Sequence, residues 1–356
     1  MEKKPHLYIE ALRVLACLAV LYNHIPSVYF LLNTREAGSV IYFADMATAI
    51  SCKFAVPLFF AISGALMLDR EISLKKIWMQ KIPKMVLTLA IFSVASYVSF
   101  AAVGKEVWDL KTMIFQAYDR DLNYAYWYLY AYIAFLMALP MLSAMLRGLK
   151  NWELLYMIGM ALFFRSVLPA LEQLRWAGTH HLNEHIRVTW LTADIVIYPS
   201  IGYYLHNRMD VRACRRALPF LWLAAAAGLY VSCVLTWREY LQTWAMYIEK
   251  YHSLFGGVYA AAIFATVRVV FAHVESGSCL ARWTCSLSGL TLGVYLLHVP
   301  IKDNTRLFQE GIWTPIEALN LPALAGGIIY MAILFLVCAA GTVIIRRIPV
   351  IKQLVQ

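Results

Sequence analysis

The stretch YIEALRVLACLAVLYNHIPSVYF, Tyr8 to Phe30, decides the fold class. It is apolar, and as a helix rising about 1.5 Å per residue it is long enough to cross roughly 30 Å of hydrocarbon. It also carries Glu10, Arg13 and His24. Ionisable groups at membrane depth are costly and face a bundle interior or a water-filled space. The stretch therefore predicts a transmembrane helix with one polar side.

The rest of the chain repeats the apolar part of that pattern. Of its 356 residues 62% are hydrophobic and only 15% charged, a balance that belongs to a membrane protein. About ten spans are predicted, near 8–32, 42–68, 85–103, 124–146, 154–171, 189–205, 217–236, 254–271, 285–300 and 322–345. These runs exceed the length of a barrel strand and do not alternate inside with outside. The expectation is an all-α, polytopic membrane helical bundle forming one integral membrane domain over 1–356.

Lys and Arg set the orientation. With the N-terminus inside, the cytoplasmic segments hold about 18 of them and the opposite loops about 10. Both termini are therefore expected on the cytoplasmic side. The net charge of +10 is scattered over these loops, which fits membrane topology and gives no surface for nucleic acid. The seven cysteines form no CxxC pair and read as small buried hydrophobes. The first span is too long and too interrupted by charge for a cleaved signal peptide, so it is expected to stay.

Within that first span Arg13 and His24 lie eleven positions apart, three helical turns plus roughly 20°, so they share a face about 16 Å apart along the axis. Arg13 sits near the cytoplasmic boundary and His24 deep in the helix, with Pro26 expected to bend the backbone just beyond it. Glu10 and Arg13, three apart, are spaced to pair across the helix surface. An interhelical hydrogen bond and an interfacial anchor would explain His24 and Arg13 equally well, and spacing names no reaction.

Several short segments, taken in order, go further. Tyr8-Ile-Glu-Ala-Leu-Arg13 leading to Tyr22-Asn-His24 is followed by Val56-Pro-Leu-Phe-Phe-Ala-Ile-Ser-Gly64. Lys81-Ile-Pro83, Trp127-Tyr-Leu129 and Gly293-Val-Tyr-Leu-Leu-His298 come after. Together they resemble the acyltransferase-3 family of integral membrane acyltransferases over nearly the whole chain. Glu10 stands where the family commonly has Asp, and Lys81 where it commonly has Arg. Lys81 keeps the charge but loses the planar fork.

The resemblance implies transfer of an acyl group, usually acetyl, from cytoplasmic acyl-CoA to a hydroxyl or amine of a carbohydrate or other envelope acceptor. It implies a bacterial cytoplasmic membrane and His24 as the catalytic residue. A neutral imidazole has the right chemistry to take the acceptor's proton. Arg13 is the matching candidate for gating or holding the donor, since a phosphopantetheine arm of on the order of 15 to 20 Å is comparable with the helical rise to His24.

Other candidates follow. Lys75, Lys76 and Lys81 crowd the densest basic segment beside a span, for acyl-CoA phosphates or for topology and anionic lipid. Lys76 and Lys81 are about 140° apart on an α-helix, so one stripe is not dictated. Tyr295 and His298 are expected at the outer end of the ninth span, and Trp127 and Tyr128 with Tyr124, Tyr126 and Tyr130 at the outer start of the fourth. An aromatic belt explains them, as does a stacking surface for a sugar acceptor. Glu10 is a further substrate-binding candidate, orienting Arg13 or another polar group at the entrance if it does more than form an interfacial ion pair.

His181 and His185 have an i,i+4 spacing beside Glu184, but without HExxH order or a further ligand cluster no metal is expected. Lys53, Arg165 and Asp194 fall in or beside spans and must find partners that the sequence does not name. Gly256-Gly257 and Gly326-Gly327 read as close helix packing. No P-loop, GxGxxG or GxSxG motif is present. A transporter or glycan exporter, using buried Arg and His for proton coupling, is the competing class.

Overall fold

The computed structural model describes residues 6–25, 37–176, 179–243, 254–319, 321 and 323–355, and among them there is no strand. Eight helices of the described residues are long and apolar enough to cross a membrane: α2 (Val40–Met67), α3 (Leu74–Ala102), α5 (Trp127–Gly148), α6 (Asn151–Trp176), α8 (Val211–Gln242), α9 (Gly256–His273), α10 (Cys279–Asn304) and α11 (Leu324–Ile345). The two other expected spans are shorter. Helix α1 (Leu7–Asn23) has 17 residues, and α7 (Asp194–Tyr203) has ten before a π segment, Tyr204–Arg208. Helix α4 (Leu110–Asp119) is a short helix between α3 and α5.

Helix starts follow local chemistry. The Ser39 hydroxyl accepts the Tyr42 N–H at the head of α2, and the Glu153 carboxylate reaches back to the Lys150 N–H at the head of α6. The Asp109 carboxylate accepts both the Thr112 hydroxyl and its N–H at the head of α4. Those bonds hold the Asp109 carboxyl below the usual carboxylate range.

The chain divides into two compact units, Met1–Glu71 with Met141–Cys285, and Ile72–Pro140 with Ser286–Gln356. In the first, α2 and α7 approach backbone to backbone. A Cβ on Gly64 would lie 2.5 Å from Pro199 Cα and overlap its carbonyl, and one on Gly202 would lie 2.6 Å from Ala61 Cα. Ala61 and Gly64 on one helix thus interlock with Pro199 and Gly202 on the other, each pair three residues apart. Membrane helices associate through such small residues, because lipid offers no hydrophobic drive to bring larger ones together.

The loop after α6 is tied down by one buried carboxylate. Glu172 accepts two bonds from Arg187 Nη2, at 2.8 and 2.9 Å, and one from the Leu182 N–H at 2.7 Å, with His181 Nδ1 3.0 Å away. His181 is therefore engaged with Glu172, in coil, while His185 lies on a separate 3-10 turn, Glu184–Ile186. Glu172→Gln, which removes the charge but keeps the shape, is expected to lower stability by about 2 kcal/mol, read from chemical unfolding in detergent.

In the second unit a proline explains a long-range bond. Pro300, inside α10, has no N–H to give the carbonyl four residues earlier. That carbonyl belongs to Leu296, and the buried Tyr126 hydroxyl donates to it at 2.5 Å. Tyr295 reciprocates by donating to the Ala125 carbonyl. Asn123 to Ser96 Oγ (2.9 Å) and Asn304 to Ser99 Oγ (2.7 Å) tie α3 into the same unit.

Candidate active site

Helix α1 carries the first group. Arg13 Nη1 donates to both Glu10 oxygens, at 3.0 and 2.9 Å, so the i,i+3 pair forms as its spacing predicts. Arg13 is 36% exposed, and among the described residues nothing else bonds to its guanidinium. Its Nε and Nη2 edge therefore keeps donors in the planar fork that suits phosphate.

His24 does not occupy the position expected of it. The helix was expected to run on to about residue 32 with His24 on its side, but it ends at Asn23 and His24 is its C-cap, at φ −102° and ψ 6°. The cause is local: a residue before proline is pushed out of the α region, and Ile25 precedes Pro26. Pro26 itself lies outside the described residues. The imidazole is thus half-buried at a helix end, between the buried Asn23 and Ile25. Asn23 Nδ2 donates to the Cys52 carbonyl at 3.0 Å, where α2 tightens into a 3-10 turn, Cys52–Phe54. Its Oδ1 is buried without a hydrogen-bond donor among the described residues.

From that turn a continuous set of contacts runs through the first unit. Gly256 lies under the Cys52–Phe54 turn, where an added Cβ would be 3.3 Å from the Lys53 carbonyl. Gly257, the next residue, lies against Tyr198, 3.0 Å from Cε1 by the same measure. This is the close packing expected of the glycine pair. The Tyr198 hydroxyl accepts from Arg165 Nε at 3.0 Å, Arg165 Nη1 donates to the Thr192 carbonyl at 3.1 Å, and Arg165 Nη2 lies 2.6 Å from Asp194 Oδ1. Arg165 and Asp194, whose partners the sequence left open, are partners of each other.

At the opposite, N-terminal end of α1 lies a cluster that sequence reasoning missed. The Tyr8 hydroxyl meets His206 Nδ1, whose ring is packed edge-on against His6 at 5.0 Å. Arg268 donates to the Leu205 carbonyl and lies over the Tyr8 ring at 5.9 Å. These residues come from α1 and its N-cap His6, the π segment after α7, and α9, and no local spacing links the three.

The remaining candidates belong to the second unit. Lys75 and Lys76 are exposed and Lys81 half-buried. Residues Ile77–Lys81 form a π segment, whose i to i+5 bonding lines up positions five apart. The wider turn narrows the roughly 140° expected between Lys76 and Lys81 on an α-helix. Tyr126, Tyr128, Tyr295 and His298 form one aromatic cluster, with ring centroids 6.3 Å (Tyr126–Tyr295), 6.0 Å (Tyr128–Tyr295) and 5.8 Å (Tyr295–His298) apart. Trp127, the first residue of α5, is 41% exposed.

His298 lies within α10, which continues past Pro300 to Asn304, and is 0% exposed. Its Nδ1 lies 2.6 Å from the Tyr295 carbonyl. A carbonyl only accepts, so Nδ1 carries the hydrogen. An apolar cavity of about 230 Å³ adjoins this cluster, lined among others by Phe92, Ser96, Tyr126, Leu296 and Pro300. Among the described residues no three His, Cys, Asp or Glu side chains are grouped to hold a metal ion.

No curated protein and no solved structure matches the chain. A family model described as an acyltransferase domain does, over residues 6–347, which takes in α1 with Arg13 and His24 as well as the Tyr295–His298 cluster. A multi-span helical bundle matched almost end to end by that model leaves one assignment: the chain belongs to the acyltransferase-3 family and is a membrane acyltransferase.

Proposed function

We propose that this acyltransferase takes its acyl group, most simply acetyl, from cytoplasmic acyl-CoA and passes it to a hydroxyl or amine of a carbohydrate or other cell-envelope acceptor, in the bacterial cytoplasmic membrane with both termini inside. His24 is the base. Its neutral imidazole takes the acceptor's O–H proton while that oxygen attacks the thioester carbonyl carbon. The C–S bond breaks, the sulfur leaves as thiolate and takes the proton back from the imidazolium, and the acceptor departs as its ester. Prior transfer of the acyl group to the imidazole reaches the same products.

The observation that carries the reading lies within α1. A guanidinium whose Nε and Nη2 edge meets no partner among the described residues and a half-buried imidazole at the helix end stand about 16 Å apart along the axis, comparable with a phosphopantetheine arm. Glu10 orients Arg13 for the donor phosphates; in the second unit Lys75, Lys76 and Lys81 are proposed, by themselves, as a basic segment suited to phosphate. Trp127, Tyr128, Tyr295 and His298 serve the acceptor side.

The test is release of free thiol from acetyl-CoA by the purified protein, with extracts of native membranes supplying acceptor. Thiol release that depends on the extract is expected. Arg13→Gln is expected to raise the KM for acetyl-CoA about 10- to 100-fold, the worth of a charged hydrogen bond, with kcat within about threefold. An unchanged KM removes Arg13 from the donor site. Substrate-coupled proton flux without thiol release would make the protein a transporter.

A further inference from the structure

Arg165 and Asp194 form a charged pair inside the first unit that the chemistry above does not use. Their side chains keep 26% and 29% exposure. A charged pair at or beside a membrane span does not turn that exposure to lipid, so it faces water or a polar group. The pair is also incompletely satisfied. Arg165 spends Nε on Tyr198 and one Nη1 hydrogen on Thr192, and Asp194 Oδ1 is buried against Nη2 at 2.6 Å, while among the described residues no other group bonds Asp194 Oδ2 or the second hydrogens of Nη1 and Nη2. Guanidinium hydrogens and carboxylate lone pairs are left side by side, a donor and an acceptor set for a hydroxyl group.

Two features build this arrangement. Arg165 projects from a π segment, Phe163–Val167, an energetically poor distortion that recurs at functional sites. Asp194 opens α7, where the helix dipole favours its charge. The contacts from Tyr198 through Gly257, Gly256 and the Cys52–Phe54 turn to Asn23 bring the pair into the packed layer that holds the His24 end of α1.

We infer that Arg165 and Asp194, with Tyr198 behind them, are the binding site for a hydroxyl group of the acceptor, the Asp194 carboxylate accepting its O–H and the Arg165 guanidinium donating to its oxygen. The inference rests on the acyl transfer proposed above and extends it to the acceptor class: a polyhydroxylated molecule, with one hydroxyl held by this pair and another presented to His24.

The probe is radiolabelled acetyl-CoA, given to membranes of the source cells carrying each variant, with acetyl incorporated into membrane material as the readout. The affinity of each purified variant for CoA, by calorimetry, is the second measurement. Arg165→Lys, Asp194→Asn and Tyr198→Phe are expected to lower incorporation at saturating donor, the first two by about 10- to 100-fold, while CoA affinity stays within about twofold of wild type. Should Asp194→Asn fail to fold, Arg165→Lys, which keeps the ion pair and loses the fork, decides. Wild-type incorporation in Arg165→Lys overturns the acceptor site alone, as does a parallel loss of incorporation and CoA affinity, which marks a purely structural pair. Wild-type membranes that incorporate no acetyl overturn the acyl transfer and this site with it.

Discussion

His24→Ala is expected to lose acyl transfer by about 10²- to 10⁴-fold, the contribution of a positioned general base, with the KM for acetyl-CoA changed by less than about threefold. The ring is half-buried at the end of α1, and the neighbouring anchor, Asn23 on the Cys52 carbonyl, uses the next side chain. Losing the imidazole therefore removes a proton acceptor without cutting that tether. His24→Gln separates chemistry from packing, since an amide fills similar space and forms hydrogen bonds but takes no proton. It is expected to be as inactive as the alanine variant. Transfer by His24→Ala within threefold of wild type would end the proposal. Labelled acetyl-CoA given without acceptor distinguishes the two chemical routes: label retained on wild type and absent from His24→Ala marks an acyl-imidazole, and no label marks base catalysis.

The second large effect is on stability. Gly64→Ala and Gly202→Ala are each expected to cost about 3 kcal/mol or more, at the upper end of overpacking penalties, because the added methyl meets backbone and no rotamer relieves it. The obstructing atoms are the Pro199 peptide and the Ala61 peptide, on helices held together by this same contact. Relief requires α2 and α7 to separate, which would also loosen Tyr198 and the Cys52–Phe54 turn. Gly159→Ala is the control: nothing lies near its added methyl, and alanine within a helix is favoured over glycine by about 0.5 to 1 kcal/mol. Thermal unfolding in detergent should place the first two well below wild type and Gly159→Ala at or above it. Wild-type stability in Gly64→Ala would mean that α2 and α7 are not in backbone contact.

These two predictions draw on different levels of the molecule. His24 was visible in the sequence, through its interval from Arg13 and the segments that resemble the family. Gly64 was visible only as the last residue of one such segment, and Gly202 not at all. A residue's neighbours along the chain fix its helical face, but a tolerance of one methyl depends on a second helix about 140 positions away.

The same division runs through the site. Hydropathy alone determined an all-helical membrane protein, because a backbone in lipid must satisfy its own hydrogen bonds and a helix does so locally. Spacing alone determined the Glu10–Arg13 pair, since three residues make nearly one turn. Tertiary structure decided the pairing of Arg165 with Asp194, the burial of His298, the bond from Tyr126 to the carbonyl that Pro300 leaves unpaired, and the meeting of Tyr8, His206 and Arg268. Each joins groups far apart in the chain, and a buried charge or an orphaned carbonyl states only that a partner is required. Which partner it finds is settled when helices pack, because their approach distance and rotation select the few side chains that reach.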